Sequence, residues 1–172
     1  QYPHQLSGGQ LQRVIGAIAI SCDPELLIAD EPTTALDPTA QAAYLELLER
    51  LSRTYGLSLI IVTHDLGVVA RICDDVMVMY AGQAVEQGIV RDIFDHPRHP
   101  YTKALLGSTP HGVDKGGFLP TIEGQPPNLS ALPSGCAFHP RCQFRQQRCI
   151  DTPPPFVTIG AQHARCWRAD EI

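Results

Sequence analysis

The sequence predicts an α/β fold in which a parallel sheet is flanked by helices. Two apolar runs, residues 26–29 and 57–62, are short, aliphatic and bounded by turn residues or helix ends, so they fit buried strands. Helical patterns precede and follow each run. Strands that alternate with helices along a chain are typical of parallel sheets, because the crossover connections run through the helices.

Capping residues define the expected helix boundaries. Ser7 is suited to cap a helix over residues 8–21, because its hydroxyl oxygen can accept a backbone N–H of the first turn. Asp37, which a proline follows, marks the start of a second helix, and Gly56 ends it. Asp65 begins a third, shorter helix.

A hairpin and a different kind of region follow. Residues 76–80 and 83–87 fit two antiparallel strands joined by a tight turn. After them the sequence predicts short helices over residues 90–95 and 101–106, a Pro- and Gly-rich linker over residues 107–133 and a cysteine-rich module over residues 135–167. The expected domains are therefore an α/β domain, residues 1–90, and a C-terminal extension, residues 91–172.

The composition excludes several classes of protein. The net charge of -5 gives no electrostatic reason to expect a nucleic-acid partner. No apolar run approaches the roughly 18 residues that a membrane span requires, so any association with a membrane is expected to go through another subunit. Because the chain opens with Gln1 directly before a motif, it is expected to be a piece of a longer protein.

The first motif is Leu-Ser-Gly-Gly-Gln at the start of the first predicted helix. Ser7 supplies a hydroxyl, and Gly8 and Gly9 allow another backbone or a ligand to approach closely before Gln10. The free N–H groups of a helix N-terminus attract anions such as phosphate. A capped helix that follows a glycine turn is the alternative interpretation of the same residues.

Two further motifs come directly after the predicted strands. Asp30 and Glu31 follow the first strand, at the sheet edge where α/β proteins bind ligands. Asp30 is suited to hold Mg²⁺ through water, and Glu31 to orient or deprotonate an attacking water. His64 follows the second strand, so it is expected at the same edge, close to a terminal phosphate. Solvated acids and a structural histidine are the alternatives.

In this order, the motifs resemble those of the ABC ATPase family over residues 1–90. Residues 6–10 match the signature motif, residues 26–31 the Walker B strand, Ala35-Leu36-Asp37 the D-loop and His64 the switch histidine. The resemblance implies the C-terminal half of a P-loop NTPase fold, with ATP and Mg²⁺ as ligands. It also implies that Asp30, Glu31 and His64 serve the chain's own ATP site.

The resemblance further implies a second ABC ATPase subunit, because members of the family work as pairs arranged head to tail. Ser7, Gly8, Gly9 and Gln10 would then close the ATP site of the partner. The phosphate-binding loop, G-x-x-x-x-G-K-[ST], is not found in this sequence, in which the lysines are Lys103 and Lys115. The chain is therefore expected to be a C-terminal fragment without Walker A, inactive alone.

The C-terminal region resembles the extension of ABC ATPases that import dipeptides or oligopeptides. The similar segments are residues 96–102, residues 122–127 and residues 135–142. Nickel importers share this extension, so nickel is the alternative cargo. The resemblance implies membrane-spanning permease subunits as partners, an indirect link to a substrate-binding protein, and a peripheral location on the cytoplasmic face of the cell membrane.

The last quarter of the chain contains four of its six cysteines: Cys136, Cys142, Cys149 and Cys166. Four thiolates can hold zinc or an iron–sulfur cluster, and the close C-x₂-C pairs typical of zinc ribbons are missing. The resemblance to peptide importers implies a [4Fe–4S] cluster, with zinc as second choice and disulfides as third. Arg141, Arg145 and Arg148 are suited either to offset the cluster's negative charge or to form a solvated basic face. The module looks too small and polar to build a core of its own, and Cys22 and Cys73 are expected in the core.

Two other functions are compatible with some of these motifs. A DNA-repair or chromosome-organising ATPase also uses the signature and the Asp-Glu pair, but the peptide-type extension argues against it. A non-catalytic regulatory subunit, with a redox-sensing cysteine module, is the candidate from another class. The presence of Glu31 and His64 argues against that for the parent protein.

Overall fold

The computed structural model describes residues 1–34, 36–109 and 120–172. They form two compact units, Gln1–Cys73 and Asp74–Ile172, which are described separately. Part of the predicted linker, residues 110–119, lies outside the described residues, as does Ala35 of the D-loop. The predicted hairpin groups with the C-terminal region, whereas the domain boundary after residue 90 stays a prediction. No helix in the described part of the chain is both long and apolar enough to cross a membrane.

The first unit has the predicted alternation of helices and strands. Its elements are α1 (Gly8–Ile20), β1 (Leu26–Asp30), α2 (Pro38–Tyr55), β2 (Ser58–Val62) and α3 (Leu66–Ile72). The strands β1 and β2 pair in parallel, with Ile28 opposite Ile60 and Asp30 opposite Val62. The α/β fold class with a parallel sheet is therefore confirmed, and each predicted helix start is observed within a residue.

The two strands are not fully buried, which corrects the prediction. Burial alternates along both: Leu27 and Leu59 are half-buried, whereas Ile28 and Ile60 are 63% and 48% exposed. The described elements of this unit therefore cover one face of the sheet and leave an apolar face open. An apolar run shows that a strand suits burial, but it does not show what covers each face.

The second unit is built on an antiparallel sheet. Its elements are β3 (Asp75–Tyr80), β4 (Gln83–Ile89), α4 (Val90–Asp95), α5 (Pro100–Gly107), α6 (Gln147–Asp151), β5 (Val157–Ile159) and β6 (Gln162–Ala164). The strand order is β3-β4-β6-β5. Ala81 and Gly82 both have positive φ at the hairpin turn, as a two-residue hairpin of this twist requires. The hairpin and both helices α4 and α5 are as predicted.

The cysteine-rich module shares the core of the hairpin, which corrects the expectation that it lacks one. Phe138 is 2% exposed and packs edge-on against Tyr80, with ring centroids 5.1 Å apart. Val78, Val85 and Ile93 complete this cluster. The module is polar in composition, but one aromatic side chain is sufficient to join it to the apolar face of β3 and β4. Cys22 is exposed, so its predicted place in the core is also wrong.

A fully buried carboxylate attaches the segment before α5 to the sheet. Glu86 of β4 accepts hydrogen bonds from the backbone N–H groups of Arg98 and His99. Arg98 Nε in turn donates to Gln162 Oε1 of β6, at 3.1 Å. Burial raises the pKa of Glu86, and the hydrogen bonds from Arg98 and His99 oppose that rise. The backbone at Arg98 and His99, directly before α5, is thus held to the sheet by hydrogen bonds.

Candidate functional site

Glu31 and His64 form a hydrogen-bonded pair at the end of the two parallel strands. Because Asp30 and Val62 are in register, the residues that follow them emerge at the same edge. His64 Nδ1 lies 2.8 Å from Glu31 Oε1, and Thr34 Oγ1 donates to Glu31 Oε2 at 2.7 Å. The side chains of Glu31 and His64 are 40% and 79% exposed, so both are open to a ligand in solution.

The pair shifts the protonation of both partners. The hydrogen bond from His64, and then that from Thr34, lowers the pKa of Glu31. The same contact with Glu31 raises the pKa of His64. Glu31 is therefore held as a carboxylate, and its two oxygens accept hydrogen bonds from His64 and Thr34 respectively. Such a group can accept a proton from water or orient it.

The backbone at Glu31 holds its side chain in place. Glu31 has φ of 46°, in the left-handed region that side chains other than glycine rarely adopt. Its N–H continues the sheet by donating to Val62 O at 2.8 Å. The chain thus turns sharply directly after the strand and aims the carboxylate along the edge. Strain of this kind is concentrated at functional sites.

Asp30 is the last residue of β1, and it is exposed. An exposed carboxylate next to the Glu31–His64 pair fits the water-mediated coordination that Mg²⁺ prefers. Its predicted role as a magnesium ligand stays a prediction.

The signature residues cap helix α1. Ser7 Oγ accepts from Gln10 N at 3.3 Å, and Gln10 Oε1 accepts from Ser7 N at 2.9 Å, which is a reciprocal capping box. An added Cβ on Gly9 would lie 3.8 Å from Leu36 Cδ2, so the glycine lies close to the D-loop segment. Among the described residues, no hydrogen bond joins this helix start to Glu31 or His64.

Asp37, the predicted D-loop residue, caps helix α2. Its Oδ1 accepts from Thr39 N at 3.0 Å and from Ala40 N at 2.9 Å. The cap accounts for the residue type at this position without any ligand. A role of Asp37 in an ATP site is left as a prediction.

The four cysteines of the module line one cavity, hereafter the four-cysteine cavity: Cys136, Cys142, Cys149 and Cys166. Gly135 makes their approach possible, because it has φ of 67° and any Cβ there would collide with the backbone oxygens of Cys149 and Ile150. The backbone N–H of Cys136 donates to Cys149 O at 2.8 Å across this crossing.

The sulfur atoms lie where burial and backbone donors compete. Burial raises the pKa of Cys136, Cys142 and Cys166, for Cys166 to about 11. Backbone N–H groups two residues further on oppose this rise at each of the three, as with Arg168 N, which donates to Cys166 Sγ at 3.4 Å. Across residues 1–34, 36–109 and 120–172, however, no three His, Cys, Asp or Glu side chains are placed to hold a metal ion.

Sequence patterns did not point to every residue around this cavity. His99, His139 and Arg168 also line it. His99 lies 37 positions before the first of the four cysteines, Cys136. Two of the three arginines singled out from the sequence make other contacts. Arg141 donates to the carbonyl oxygens of Ile122 and Glu123, and Arg148 stacks on Trp167 at 3.4 Å from the ring centroid.

Two family models match the chain. One, described as the C-terminal region of oligopeptide/dipeptide transporters, matches residues 85–149. The other, described as "AAA domain, putative AbiEii toxin, Type IV TA system", matches residues 1–70. One matched range contains the ATPase-type motifs, and the other lies mostly in the C-terminal region.

Curated relatives match the chain from end to end. A putative peptide import ATP-binding protein of Brucella ovis is 51% identical over 100% of this chain and 53% of its own length. The oligopeptide transport ATP-binding protein OppD of Haemophilus influenzae is 51% identical over 99% of this chain and 53% of its own length. The chain thus spans about half the length of these relatives.

A solved structure supports the same assignment for the fold. CbiO1 of Clostridium perfringens, described as part of the ABC transporter complex cbiONQ, is 39% identical over 54% of this chain and 37% of that chain, with a TM-score of 0.51. The Glu31–His64 pair and the capped helix α1 lie in the part of the chain that these ATP-binding proteins share. The chain is thus similar along its whole length to ATP-binding proteins of peptide importers, and it spans about half of their length.

Proposed function

We propose that the protein containing this chain hydrolyses ATP and uses the energy to import di- or oligopeptides. The observation that carries the proposal is the hydrogen bond between Glu31 and His64 at the end of two parallel strands. It holds a carboxylate and an imidazole together at the sheet edge, where α/β ATPases bind nucleotide. The 51% identity to peptide import proteins supports the cargo.

In the proposed reaction, catalysis is positioning and electrostatic stabilisation around the γ-phosphate. Bound Mg²⁺ would neutralise charge on the phosphate oxygens, with Asp30 holding it through water. Glu31 orients the attacking water and takes its proton, and Thr34 keeps the carboxylate in place. His64 holds the other carboxylate oxygen and is exposed enough to contact the terminal phosphate.

The experiment is Glu31→Gln in the full-length protein. The amide keeps the shape of the carboxylate but cannot act as a base, so hydrolysis should fall about 10²- to 10⁴-fold while ATP binding persists. Glu46→Gln, the same change on the exposed face of α2, is the matched control and should leave turnover unchanged. Near-normal turnover of Glu31→Gln would remove Glu31 from the catalytic role.

We also propose that the protein pairs head to tail with a second ABC ATPase subunit. The first turn of α1 is exposed at Gly8 and accessible at Ser7, as a surface that closes another subunit's ATP site requires. Ser7→Ala combined with Gly9→Asp should then impair the partner's site. In a heterodimer with one marked subunit, loss of turnover at the mutant's own site would contradict this arrangement.

Permease subunits and a location on the cytoplasmic face of the cell membrane complete the proposal, with a substrate-binding protein linked through the permease. Uptake of labelled dipeptides by cells carrying the wild-type or Glu31→Gln protein tests the cargo. Nickel uptake without peptide uptake would favour the nickel importer, the alternative cargo.

For the C-terminal region we propose that the four-cysteine cavity holds a [4Fe–4S] cluster with a structural role. Buried thiols with raised pKa ionise readily only beside compensating positive charge, which iron would supply. The backbone N–H donors to the sulfurs fit thiolate ligands. The spacing of the four cysteines lacks the C-x₂-C pairs of zinc ribbons, so zinc is the alternative.

Anaerobic purification tests the cluster. The protein should be brown, with about four irons per chain, as the cluster type requires. Replacing Cys149 by Ser should remove the iron, whereas Cys22→Ser, at an exposed cysteine outside the cavity, should not. A colourless protein with one tightly bound zinc would replace the cluster by the alternative.

A further inference from the structure

A side-chain hydrogen bond joins the start of helix α2 to the loop that carries His64. Gln41 lies near the start of α2 and is half-buried. Its amide Nε2 donates to Asp65 Oδ2 at 3.0 Å, across 24 positions of the chain. Because Asp65 directly follows His64, this bond holds the backbone next to the histidine.

The remaining contacts of Asp65 fix the same loop. Its other carboxylate oxygen, Oδ1, accepts from Gly67 N at 2.8 Å and caps helix α3. Its backbone N–H donates to Thr63 Oγ1 at 3.0 Å. The hydrogen bond from Gln41 lowers the pKa of Asp65 and thereby favours the carboxylate. The loop is thus held by side-chain contacts around His64.

The position of the His64 ring depends on this backbone. The ring is 79% exposed, so packing constrains it only weakly, and the backbone of residues 63–65 sets where it lies. His64 Nδ1 is 2.8 Å from Glu31 Oε1. A shift of about half an ångström would take this pair beyond the usual range of a hydrogen bond. A small movement of the loop therefore suffices to separate the two groups.

We propose that Gln41 is a positioning residue for ATP hydrolysis. Through Asp65 it holds the His64 imidazole against the carboxylate of Glu31. The inference rests on the proposed function, because the Glu31–His64 pair affects turnover only if it acts on ATP. Gln41 acts through the loop and is not itself a catalytic group.

Another contact between the same two helices provides a matched control. Arg71, at the far end of α3, donates from Nη2 to the backbone oxygen of Ala42 at 3.3 Å. It joins α3 to α2, as Gln41 does, but it lies six positions after Asp65. Removing it should loosen the same pair of helices without moving the loop that carries His64.

The experiment compares Gln41→Met with Arg71→Met in the full-length protein. Methionine is unbranched and a good helix former but has no N–H donor. For Gln41→Met we expect kcat to fall about ten- to hundredfold, the scale of loss that misplacement of a catalytic group causes. The affinity for ATP should stay at the wild-type value, since the loss lies in the chemical step.

Arg71→Met should keep the wild-type kcat, and melting transitions check that both variants are folded. A wild-type kcat in Gln41→Met would overturn the inference. So would an equal loss in the two variants, because it would show that only the packing of α3 on α2 matters.

A reversed pair tests the hydrogen bond itself. Gln41→Glu alone sets two carboxylates against each other and should lose turnover as Gln41→Met does. Adding Asp65→Asn restores one donor and one acceptor with their roles exchanged, and asparagine keeps an oxygen for the cap of α3. The double variant should recover most of the turnover that Gln41→Glu loses, with Asp65→Asn alone as the reference for the lost charge. A double variant as slow as Gln41→Glu would contradict the proposed role of the bond.

Glu31→Gln, measured alongside, separates this inference from the proposed function. If Glu31→Gln keeps its turnover, the proposed function fails and the role of Gln41 fails with it. If Glu31→Gln loses turnover and Gln41→Met does not, the role of Gln41 alone fails.

Discussion

At the scale of single residues, one hydrogen bond couples the protonation of Glu31 and His64. It lowers the pKa of Glu31 and raises that of His64. The stability that ionised Glu31 contributes is present above its ordinary pKa and is lost as the pH falls through its lowered pKa. The stability that protonated His64 contributes is present below its ordinary pKa and is lost as the pH rises through its raised pKa. The ion pair is therefore best formed at pH values between the lowered pKa of Glu31 and the raised pKa of His64.

The titration of His64 tests this coupling. In the wild type, the pKa of His64 should lie above its ordinary value of about 6.5. Glu31→Gln removes the carboxylate, so the pKa should return towards that value. Imidazole chemical shifts in a pH series of ¹H–¹⁵N spectra measure the pKa of His64 in the wild type and in the variant. Thr34→Val, which leaves the His64–Glu31 contact intact, is the control. The same His64 pKa in wild type and Glu31→Gln would contradict the pairing.

Gly135 allows two backbone segments of the cysteine-rich module to pack closely against each other. Gly135→Ala would place a methyl group within 2.6 Å of Ile150 O at a φ of 67°, and backbone atoms cannot move aside easily. We expect a loss of more than about 3 kcal/mol in the unfolding free energy. Gly160→Ala, with φ of 61° and no atom within 4 Å, should cost only about 1–2 kcal/mol.

The single tryptophan, Trp167, makes this comparison measurable, because it belongs to the same unit. Denaturant unfolding followed by its fluorescence gives both free energies. Equal losses for the two glycine variants would show that the Gly135–Ile150 crossing is not formed in solution.

At the scale of elements, helix starts serve the fold before any ligand is present. Asp37 of α2 accepts two backbone N–H groups, and Ser7 of α1 forms a capping box with Gln10. These residues also match ATPase motifs. A substitution in either motif therefore changes the stability of a helix as well as any site, so the two effects must be separated.

Asp37 offers that separation. Asp37→Ala removes the cap and should cost about 1 kcal/mol of unfolding free energy. Asp37→Asn keeps a side-chain oxygen at the N-cap and should stay near the wild type. Thermal and urea unfolding measure both. If Asp37→Asn has wild-type stability but reduced ATP turnover, the D-loop role is separate from capping. Equal destabilisation by both changes would contradict the capping account.

At the scale of the whole molecule, the parallel sheet of β1 and β2 leaves an apolar face open. Ile28 and Ile60 are neighbours across β1 and β2 and present an apolar surface. Apolar patches of this kind are usually covered by another part of the protein or by a partner. We expect the remaining length of the full protein to cover this one.

The double variant Ile28→Thr with Ile60→Thr tests that expectation in both contexts. In the 172-residue chain it should change the unfolding free energy by less than about 1 kcal/mol and reduce binding of a hydrophobic dye. In the full-length protein it should cost roughly 2–4 kcal/mol, because both side chains would then be buried. A small effect in the full-length protein would show that the face stays open.

The sequence alone determined the local structure of the first unit and the nature of its site. Ser7, Asp37 and Gly56 define helix ends through contacts within a few residues, and such contacts are encoded locally. Asp30 and Glu31 follow an apolar run, so their place at a sheet edge is also predictable.

Tertiary structure decided what depends on contacts between distant residues. The pairing of His64 with Glu31 across 33 positions, the burial of Glu86 and the place of His99 beside the cysteines are of this kind. So are the three-residue strand β6 and the exposed face of β1, for which sequence periodicity has too few residues or no information about cover. Burial and pKa arise from everything packed around a group, and only the folded chain supplies that environment.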